Sequence, residues 1–102
     1  MEFIVLGYDG DDEQAMARRL AVRESHLAQA HERFAAGEWL YAGALLSDEG
    51  KMVGSFIVCD YPSREALESQ WLAKEPYVAG DVWRRIDVRR AQIPPAVRAP
   101  KG

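Results

Sequence analysis

Two stretches of the chain are apolar on both faces of an extended strand. Residues 2–8 read EFIVLGY and residues 52–60 read MVGSFIVCD, and in both runs apolar side chains occupy successive positions. Because side chains alternate between the two faces of a strand, neither face of these stretches can be left in water. The pattern therefore predicts two central strands of one sheet.

Two further strands are predicted at residues 38–46, EWLYAGALL, and at residues 81–90, DVWRRIDVRR. Alternation in the first places Trp39, Tyr41 and Leu45 on one face and Leu40, Ala42, Ala44 and Leu46 on the other. Gly43 marks either a β-bulge or a place where another group approaches the backbone closely. The second pattern is typical of an edge strand or of a strand with one solvent-exposed face. It places Val82, Ile86 and Val88 inward and Trp83, Arg85, Asp87 and Arg89 outward.

The residues between the first two strands have helical periodicity. Asp11 or Asp12 is expected to cap the N-terminus of this helix, which runs to about Ala36, and Gly37 is well placed to end it. A stripe at helical spacing is expected to pack on the sheet and consists of Met16, Leu20, Leu27, His31 and Phe34. His31 is therefore interpreted as a core histidine and not as a catalytic group.

A second helix is predicted at residues 63–74. Ser63 is its expected N-cap, and it stops before Pro76 because proline disfavours a helical conformation of the preceding Glu75. Residues 75–80, EPYVAG, read as a short turn or as one helical turn with Pro76 at its first position.

The elements follow one another as β-α-β-β-α-β, with a hairpin turn at residues 47–51. This order predicts an α+β, ferredoxin-like fold, in which a four-stranded antiparallel sheet has strands 1 and 3 in the middle and both helices on one face. The other face is then apolar and exposed, so we expect a second copy of the chain to cover it in a homodimer. A monomer whose C-terminal tail folds over this face is the alternative.

The length and composition of the chain indicate one globular domain. We place this domain at residues 1–91 of the 102, and the proline-rich residues 92–102 read as an extended tail. A composition of 48% hydrophobic and 28% charged residues is typical of such proteins. The single cysteine, Cys59, lies in a predicted strand and is interpreted as a buried apolar residue.

Charge and hydropathy restrict the partners of this domain. A net charge of -3 argues against a nucleic-acid partner, which requires a surplus of basic residues. No apolar run is long enough to span a bilayer, so no membrane partner is expected. The N-terminus enters the first strand directly, without an export signal, and a cytoplasmic location is therefore expected.

A basic stripe on the first helix supplies the only constellation that suggests chemistry. Its members follow one another at helical spacing and are Arg19, Arg23, His26, Ala30 and Arg33. His26 lies where this stripe meets the apolar one. Two interpretations are open: the stripe is solvated surface, or His26 is a titrating group that is held in place and reached by a ligand.

Four segments together resemble the YCII (YciI-like) family of small dimeric α+β barrel proteins. They are FIVLGYD in the first strand, RLAVRESHLAQ in the first helix, LYAGALLSDEGKMVGSFIV across the hairpin, and EPY before the last strand. The resemblance covers nearly all of residues 1–90. It implies a dyad of a histidine and an acidic residue, and some relatives act on chlorinated hydroxyquinol-type aromatics while most have no assigned substrate.

By position, the family histidine corresponds to His26 and the family acid to Glu75. The family typically has aspartate there, so Glu75 is a departure that lengthens the side chain by one methylene. Two further departures are Glu24 and Ala44, where many relatives have proline. Without a proline at Glu24, the first helix is expected to run straight through His26.

A histidine hydrogen-bonded to a carboxylate is held in one tautomer and is a better general base. The residues expected to contact a substrate are Arg23, Ser55, Tyr77 and the backbone at Gly43 and Gly54. Arg23 would hold a phenolate, enolate or carboxylate. The alternative interpretations are structural: strand packing for the serine and the glycines, a helix-terminus carboxylate for the acid, and a core position for the tyrosine.

Two functions fit these residues. The first is a cofactor-free enzyme in which His26 is the acid/base and Glu75 orients it, acting on a small anionic or aromatic metabolite by proton transfer, elimination or lyase chemistry. The second is a non-catalytic ligand-binding or assembly module. A weaker third is a monooxygenase without heme or flavin, which would require a large apolar cavity under the first helix. No metal site is expected, because His26 and His31 do not share a helix face.

Overall fold

The structure, a computed structural model, describes residues 1–98 and has its strands and helices in the predicted order. The strands are β1 (Glu2–Asp9), β2 (Trp39–Leu46), β3 (Met52–Asp60) and β4 (Trp83–Ala91). The helices are α1 (Ala15–Ala35), α2 (Arg64–Gln70) and α3 (Pro76–Ala79), and short 3-10 turns span Leu72–Lys74 and Pro95–Val97. Residues 99–102, the end of the predicted tail, lie outside the described residues.

The four strands form one antiparallel sheet in the order β2-β3-β1-β4. β1 and β3 are therefore the central strands, as their apolar character on both faces predicts. The register pairs Val5 with Ile57 and Gly7 with Ser55, and all four residues are buried. The predicted α+β, ferredoxin-like fold is confirmed.

Two β-bulges turn two tryptophans toward the helices, and here the prediction is wrong. The register shifts between Trp39 and Tyr41, so these residues lie on opposite faces of β2 and not on the same face. A second shift, next to Tyr8, pairs Asp9 with Trp83, which is 5% exposed and not outward-facing. One extra residue inverts the alternation of side chains, and the residue pattern does not show where it is inserted.

The core lies between the sheet and the helices and is rich in aromatic side chains. Its buried residues are Phe3, Val5, Ala30, Trp39, Ile57, Cys59, Tyr61, Leu67, Trp71, Tyr77, Val82 and Trp83. Trp71 packs edge-on against Trp39 and Trp83, with ring centroids 4.9 and 6.4 Å away. Burial raises the pKa of the Cys59 thiol to about 12, which agrees with its interpretation as an apolar residue.

Helix α1 buries the face next to the one that its hydrophobic pattern predicts. The side chains of the predicted apolar stripe are exposed, those of Met16, Leu20, Leu27 and Phe34 by 36% or more. His31 is exposed as well, so its interpretation as a core histidine is wrong. The buried residues of α1 are Arg19, His26 and Ala30, which belong to the basic stripe.

Distant polar partners explain why Arg19 and His26 are buried. Arg19 binds Asp9 and Ser55, and His26 contacts Glu75. A polar side chain is tolerated in the core when its hydrogen bonds are made there. A hydropathy pattern ranks each residue by its own preference for water, so it cannot register a partner that is distant in the sequence.

The N-terminus of α1 differs from the prediction, and its C-terminus agrees with it. The helix begins at Ala15, later than expected, and Asp12 accepts a hydrogen bond from the backbone N–H of Gln14 in the turn before it. Gly37 has a φ of 75°, a left-handed conformation that ends helices and that glycine adopts without steric cost.

The predicted second helix is interrupted. Ser63 caps α2 by accepting a hydrogen bond from the N–H of Ala66 at 3.0 Å, as expected, but α2 ends at Gln70 and a 3-10 turn follows. Pro76 then begins α3, the single helical turn that the sequence predicts. None of the helices within residues 1–98 has the length and apolar character needed to cross a membrane.

The described part of the predicted tail contacts the beginning of the chain. The N–H of Ile93 donates to the carboxylate of Glu2, and Arg98 binds Glu2 and Asp60 at 2.9 and 2.7 Å. The α-amino group of Met1 also binds Asp60, at 2.9 Å. Burial alone would raise the pKa of Asp60, but the bonds from Arg98 and the α-amino group hold it below its usual value.

Candidate active site

His26 and Glu75 are in direct contact although they are 49 positions apart in the sequence. The Nδ1 atom of His26 lies 2.8 Å from Oε2 of Glu75. Both residues are buried, with His26 8% and Glu75 1% exposed. Helix α1 runs without interruption through Glu24, as expected, and carries His26 on its buried side.

The turn that starts α3 positions Glu75. Its backbone is extended, with φ -71° and ψ 123°, which is the conformation that a following proline favours. Its side chain caps α3 by accepting a hydrogen bond from the N–H of Tyr77 at 2.9 Å. With one more methylene than aspartate, this side chain reaches both the helix cap and His26.

Three groups hold the carboxylate of Glu75 in one orientation. The Nε1–H of Trp71 donates to Oε1 at 3.0 Å, while Oε2 receives the N–H of Tyr77 and contacts His26. A buried carboxylate is costly unless such bonds compensate for the lost water. The arrangement therefore fixes the direction in which Glu75 presents its charge to His26.

The imidazole of His26 has one nitrogen engaged and one free. An ionised carboxylate only accepts hydrogen bonds, so with Glu75 ionised Nδ1 carries the proton of this contact, and Nε2 is the nitrogen that Glu75 leaves unengaged. Within residues 1–98, the hydrogen bond of His26 is made by Nδ1 and not by Nε2. The ring is stacked on that of Tyr77, with centroids 3.9 Å apart and planes at 11°, which restricts its rotation.

A second buried polar group lies next to the first. Nη1 of Arg19 is 3.0 Å from both carboxylate oxygens of Asp9, and Nη2 donates to Oγ of Ser55 at 3.0 Å. The Nε1–H of Trp83 donates to the same Ser55 oxygen at 3.2 Å. Burial raises the pKa of Asp9, although the charge of Arg19 acts in the opposite direction. The guanidinium also lies 4.8 Å from the ring centroid of Tyr77, which links the two groups.

Gly7 makes room for this arrangement. A Cβ atom at Gly7 would collide with the indole of Trp83. Because the indole occupies that space above β1, its N–H reaches Ser55 on the adjacent strand.

A cavity of about 250 Å³ lies beside His26, between α1 and the strands β2 and β3. Four of the five residues predicted to contact a substrate, Arg23, Gly43, Ser55 and Tyr77, line this cavity, and Gly54 does not. The structure therefore brings the histidine and these four residues together around one space, while Glu75 lies behind the imidazole. Their roles toward a ligand stay predictions.

The residues predicted to contact a substrate have different structural surroundings. Arg23 is exposed at the cavity and has no ion-pair partner within residues 1–98. Gly43 lies in a regular part of the β2 register, not in a bulge, and a Cβ there would come within 2.7 Å of the Phe56 ring. A Cβ at Gly54 would collide with the carbonyl group of Gly7, so strand packing explains this glycine.

Tyr77 contributes a neutral hydroxyl group to the site. Burial raises the pKa of its phenol above the usual value, and the nearby charges of Arg19 and Arg23 act in the opposite direction. At neutral pH the phenol therefore keeps its proton and can donate a hydrogen bond.

Sequence reasoning missed four residues that organise this site. Trp83 is predicted to face outward, Arg19 is placed in the basic stripe without a partner, and the sequence pattern assigns no role at the site to Asp9 or Trp71. Only Arg19 carried a usable signal, since it lies two helical turns before His26 on the same stripe. The other three act through hydrogen bonds or a bulge that no local pattern reveals.

Other candidate sites in the described chain are weaker. A wider groove of about 530 Å³ lies where β1 begins and β3 ends, but three of its charged residues, Glu2, Asp60 and Arg98, bind one another. No group of three histidine, cysteine, aspartate or glutamate side chains within residues 1–98 is arranged to hold a metal ion.

Known proteins resemble this chain in sequence over most of its length. The model of the YCII-related domain matches residues 1–92. Protein YciI of Escherichia coli O6:H1 and of Shigella flexneri are each 31% identical to it over 88 residues, which is 80% of this chain and 89% of theirs. An uncharacterized protein of Haemophilus influenzae is 31% identical over 85 residues, which is 78% of this chain and 86% of its own.

A solved structure shares the fold. It is that of 5-chloro-2-hydroxyhydroquinone dehydrochlorinase (TftG) from Burkholderia phenoliruptrix AC1100, in complex with 2,5-dihydroxybenzoquinone. The two chains superpose with a TM-score of 0.76 at 18% identity, over 90% of this chain and 94% of the other. The family match over residues 1–92, together with the curated relatives, shows that this chain belongs to the YCII family, as its four sequence segments predict.

Proposed function

We propose that this YCII protein is a cofactor-free enzyme in which His26 moves a proton on a small anionic or aromatic metabolite and Glu75 orients the imidazole. The observation that carries the proposal is the 2.8 Å contact between Nδ1 of His26 and the buried Glu75, at the wall of a cavity. A general base needs a fixed tautomer and a free nitrogen within reach of the substrate, and His26 has both.

In the proposed mechanism, the lone pair of His26 Nε2 accepts a proton from the substrate. The positive charge that forms on the imidazole is stabilised by the carboxylate of Glu75. The same nitrogen then returns the proton to the product or releases it to water. General acid/base catalysis of this kind contributes about 10²–10⁴ in rate, and it requires no cofactor.

The structural neighbour suggests a narrower candidate reaction. That protein is named as a dehydrochlorinase of 5-chloro-2-hydroxyhydroquinone. Loss of HCl requires a group that accepts the proton while chloride leaves with the electrons of the C–Cl bond. His26 has the free nitrogen that this step needs, so we propose elimination on a small hydroxylated ring as the first reaction to test.

The test compares the wild type with His26→Ala and His31→Ala. The assays are chloride release from 5-chloro-2-hydroxyhydroquinone and exchange of substrate hydrogen for solvent deuterium in a panel of small hydroxylated aromatic compounds. We expect His26→Ala to lose about 10²- to 10⁴-fold in rate, because the proton acceptor is gone. His31→Ala should keep the wild-type rate, because His31 is exposed on the same helix and lies outside the cavity wall.

Equal rates for the wild type and His26→Ala would contradict the catalytic role. Binding of these compounds with neither chloride release nor exchange would favour the second function, a non-catalytic ligand-binding or assembly module.

We also propose that the chain forms a homodimer through the sheet face that the helices leave uncovered. By register, this face carries the apolar residues Ile4, Leu6, Tyr41, Phe56 and Val58. In the single chain, Ile4 is 38% and Tyr41 49% exposed. A two-fold axis would place the same apolar face of two copies against each other and remove both from water.

Tyr41→Glu is expected to convert the dimer to single chains, because the new carboxylate would be buried in the interface without a partner. The measurement is the molar mass by light scattering after size-exclusion chromatography. Leu20→Glu is the matched control, since Leu20 is 53% exposed on α1. A wild-type mass of one chain would contradict the proposal, and dissociation by Leu20→Glu alone would move the interface to the helices.

A further inference from the structure

The cavity beside His26 has two chemically different ends. The register of β2 and β3 places Ala44 opposite Ser55 and Ala42 opposite Ile57, and these two pairs are about 7 Å apart along the strands. Beyond the second pair, past the bulge, Trp39 forms the next part of the wall. One end of the cavity is therefore next to Ser55 and the other is next to Trp39.

Helix α1 gives these two ends opposite character. Arg19 donates to Ser55 at 3.0 Å, which sets the first end of the cavity beside the basic residues of the helix. Phe34 packs edge-on against Trp39 at 5.8 Å, which sets the second end beside an aromatic pair. His26 lies between them in the helix, so its ring is near the middle of the cavity wall.

Ser55 is restricted to donating a hydrogen bond at the basic end. A serine hydroxyl has two acceptor positions and one hydrogen. Arg19 and Trp83 both donate to its oxygen, at 3.0 and 3.2 Å. The hydroxyl hydrogen has no acceptor within residues 1–98, and Ser55 is 3% exposed and lines the cavity. Only an acceptor atom, such as a ligand oxygen, satisfies this hydrogen.

The basic end has one positive charge that is not balanced. Arg19 is neutralised by Asp9, which binds it through both carboxylate oxygens at 3.0 Å. Arg23 has no carboxylate partner within residues 1–98 and lines the cavity. One free cation and one obligate donor in the wall of the same cavity match a group with a single negative charge on oxygen.

We propose that the cavity binds a monoanionic ligand in one orientation, with its anionic oxygens on Ser55 and Arg23 and its apolar or aromatic body against Phe34 and Trp39. The atoms that join the two parts then lie beside His26, so the proton that His26 moves is next to the anionic group. A volume of about 250 Å³, below the range of about 300–1,000 Å³ for drug-sized ligands, limits the body to a single ring or a short chain. The statement about the proton rests on the proposed function, whereas the orientation does not.

Three probes test the orientation: benzoate, its neutral analogue benzamide, and acetate, which lacks the ring. Titration calorimetry gives the dissociation constants for the wild type, Arg23→Gln and Ala42→Leu. Arg64→Gln is the matched control for the charge, because Arg64 is an exposed arginine on α2 that does not line the cavity. Nuclear Overhauser contacts between the probe ring and the Trp39 indole report where the ring lies.

The expected results separate the two ends. The wild type should bind benzoate about tenfold more tightly than benzamide. Arg23→Gln should lower the affinity for benzoate about tenfold and leave the affinity for benzamide unchanged. Ala42→Leu should lower the affinity for both ring-bearing probes by about tenfold or more, because the larger side chain fills the aromatic end of the cavity. The affinity for acetate should stay unchanged. Arg64→Gln should bind all three probes as the wild type does.

Equal affinity for benzoate and benzamide, absence of benzoate binding, or a ring without contacts to Trp39 would overturn the proposed orientation. An equal effect of Arg23→Gln on both ring-bearing probes would overturn it as well. These measurements record binding and not turnover. If the probes bind as expected but His26→Ala keeps the wild-type rate in the chloride and exchange assays, then the orientation stands and only the catalytic role of His26 fails.

Discussion

Glu75→Ala is expected to lower the free energy of unfolding by about 3–5 kcal/mol, because it removes the charged partner of a buried cluster. The N–H of Trp71, the N–H of Tyr77 and Nδ1 of His26 all converge on this carboxylate. In the variant these groups would stay buried without a partner, and the first turn of α3 would lose its cap.

Chemical denaturation at neutral pH measures this effect. Glu75→Gln is the closest control, since the amide keeps the volume and one acceptor oxygen, and it should lose less stability than Glu75→Ala while still failing to stabilise a positive imidazole. Glu68→Ala is the surface control, because Glu68 is 56% exposed and should change stability little. A loss for Glu75→Ala no larger than that for Glu68→Ala would show that the cluster contributes nothing to the fold.

Arg19→Met is expected to lower the free energy of unfolding by about 3–5 kcal/mol at neutral pH, because it leaves the Asp9 carboxylate buried without its counter-charge. The side chains of Arg19 and Asp9 are only 4% and 3% exposed. Arg18→Met is the matched control: its partner Asp12 is 43% exposed, so this ion pair is solvated and its loss should change stability little.

The pH dependence of the Arg19→Met effect follows from the pKa of Asp9. Burial raises this pKa above its usual value of 3.8 even with Arg19 present, and without Arg19 it should rise further. A carboxyl whose pKa is raised by folding stabilises the folded state below its unfolded pKa, and this contribution is lost as the pH rises through the folded pKa. The loss of stability in Arg19→Met relative to the wild type should therefore be largest at neutral pH and become smaller as the pH falls toward 4.

A double variant separates the charge effect from packing. Adding Asp9→Leu to Arg19→Met removes the uncompensated charge, so the double variant should be more stable than Arg19→Met alone by about 2 kcal/mol. If the second substitution lowers stability further, the loss in Arg19→Met comes from packing and not from the stranded carboxylate.

Local patterns predicted the topology because each pattern reports on its own segment. Apolar positions on both faces identified β1 and β3 as central strands, and Pro76 marked the start of α3. The pairing of His26 with Glu75 had another origin: it was implied by the resemblance to the YCII family, since no spacing rule connects residues 49 positions apart.

What the sequence by itself determined is therefore the order of the elements, the fold class and the family. Only the tertiary structure decided which face α1 buries and which way Trp39 and Trp83 point. The physical reason is the same in both cases. A buried arginine or histidine depends on partners that folding brings from distant strands and turns, and a bulge depends on the pairing of two strands. Neither is encoded in the hydropathy of any one segment.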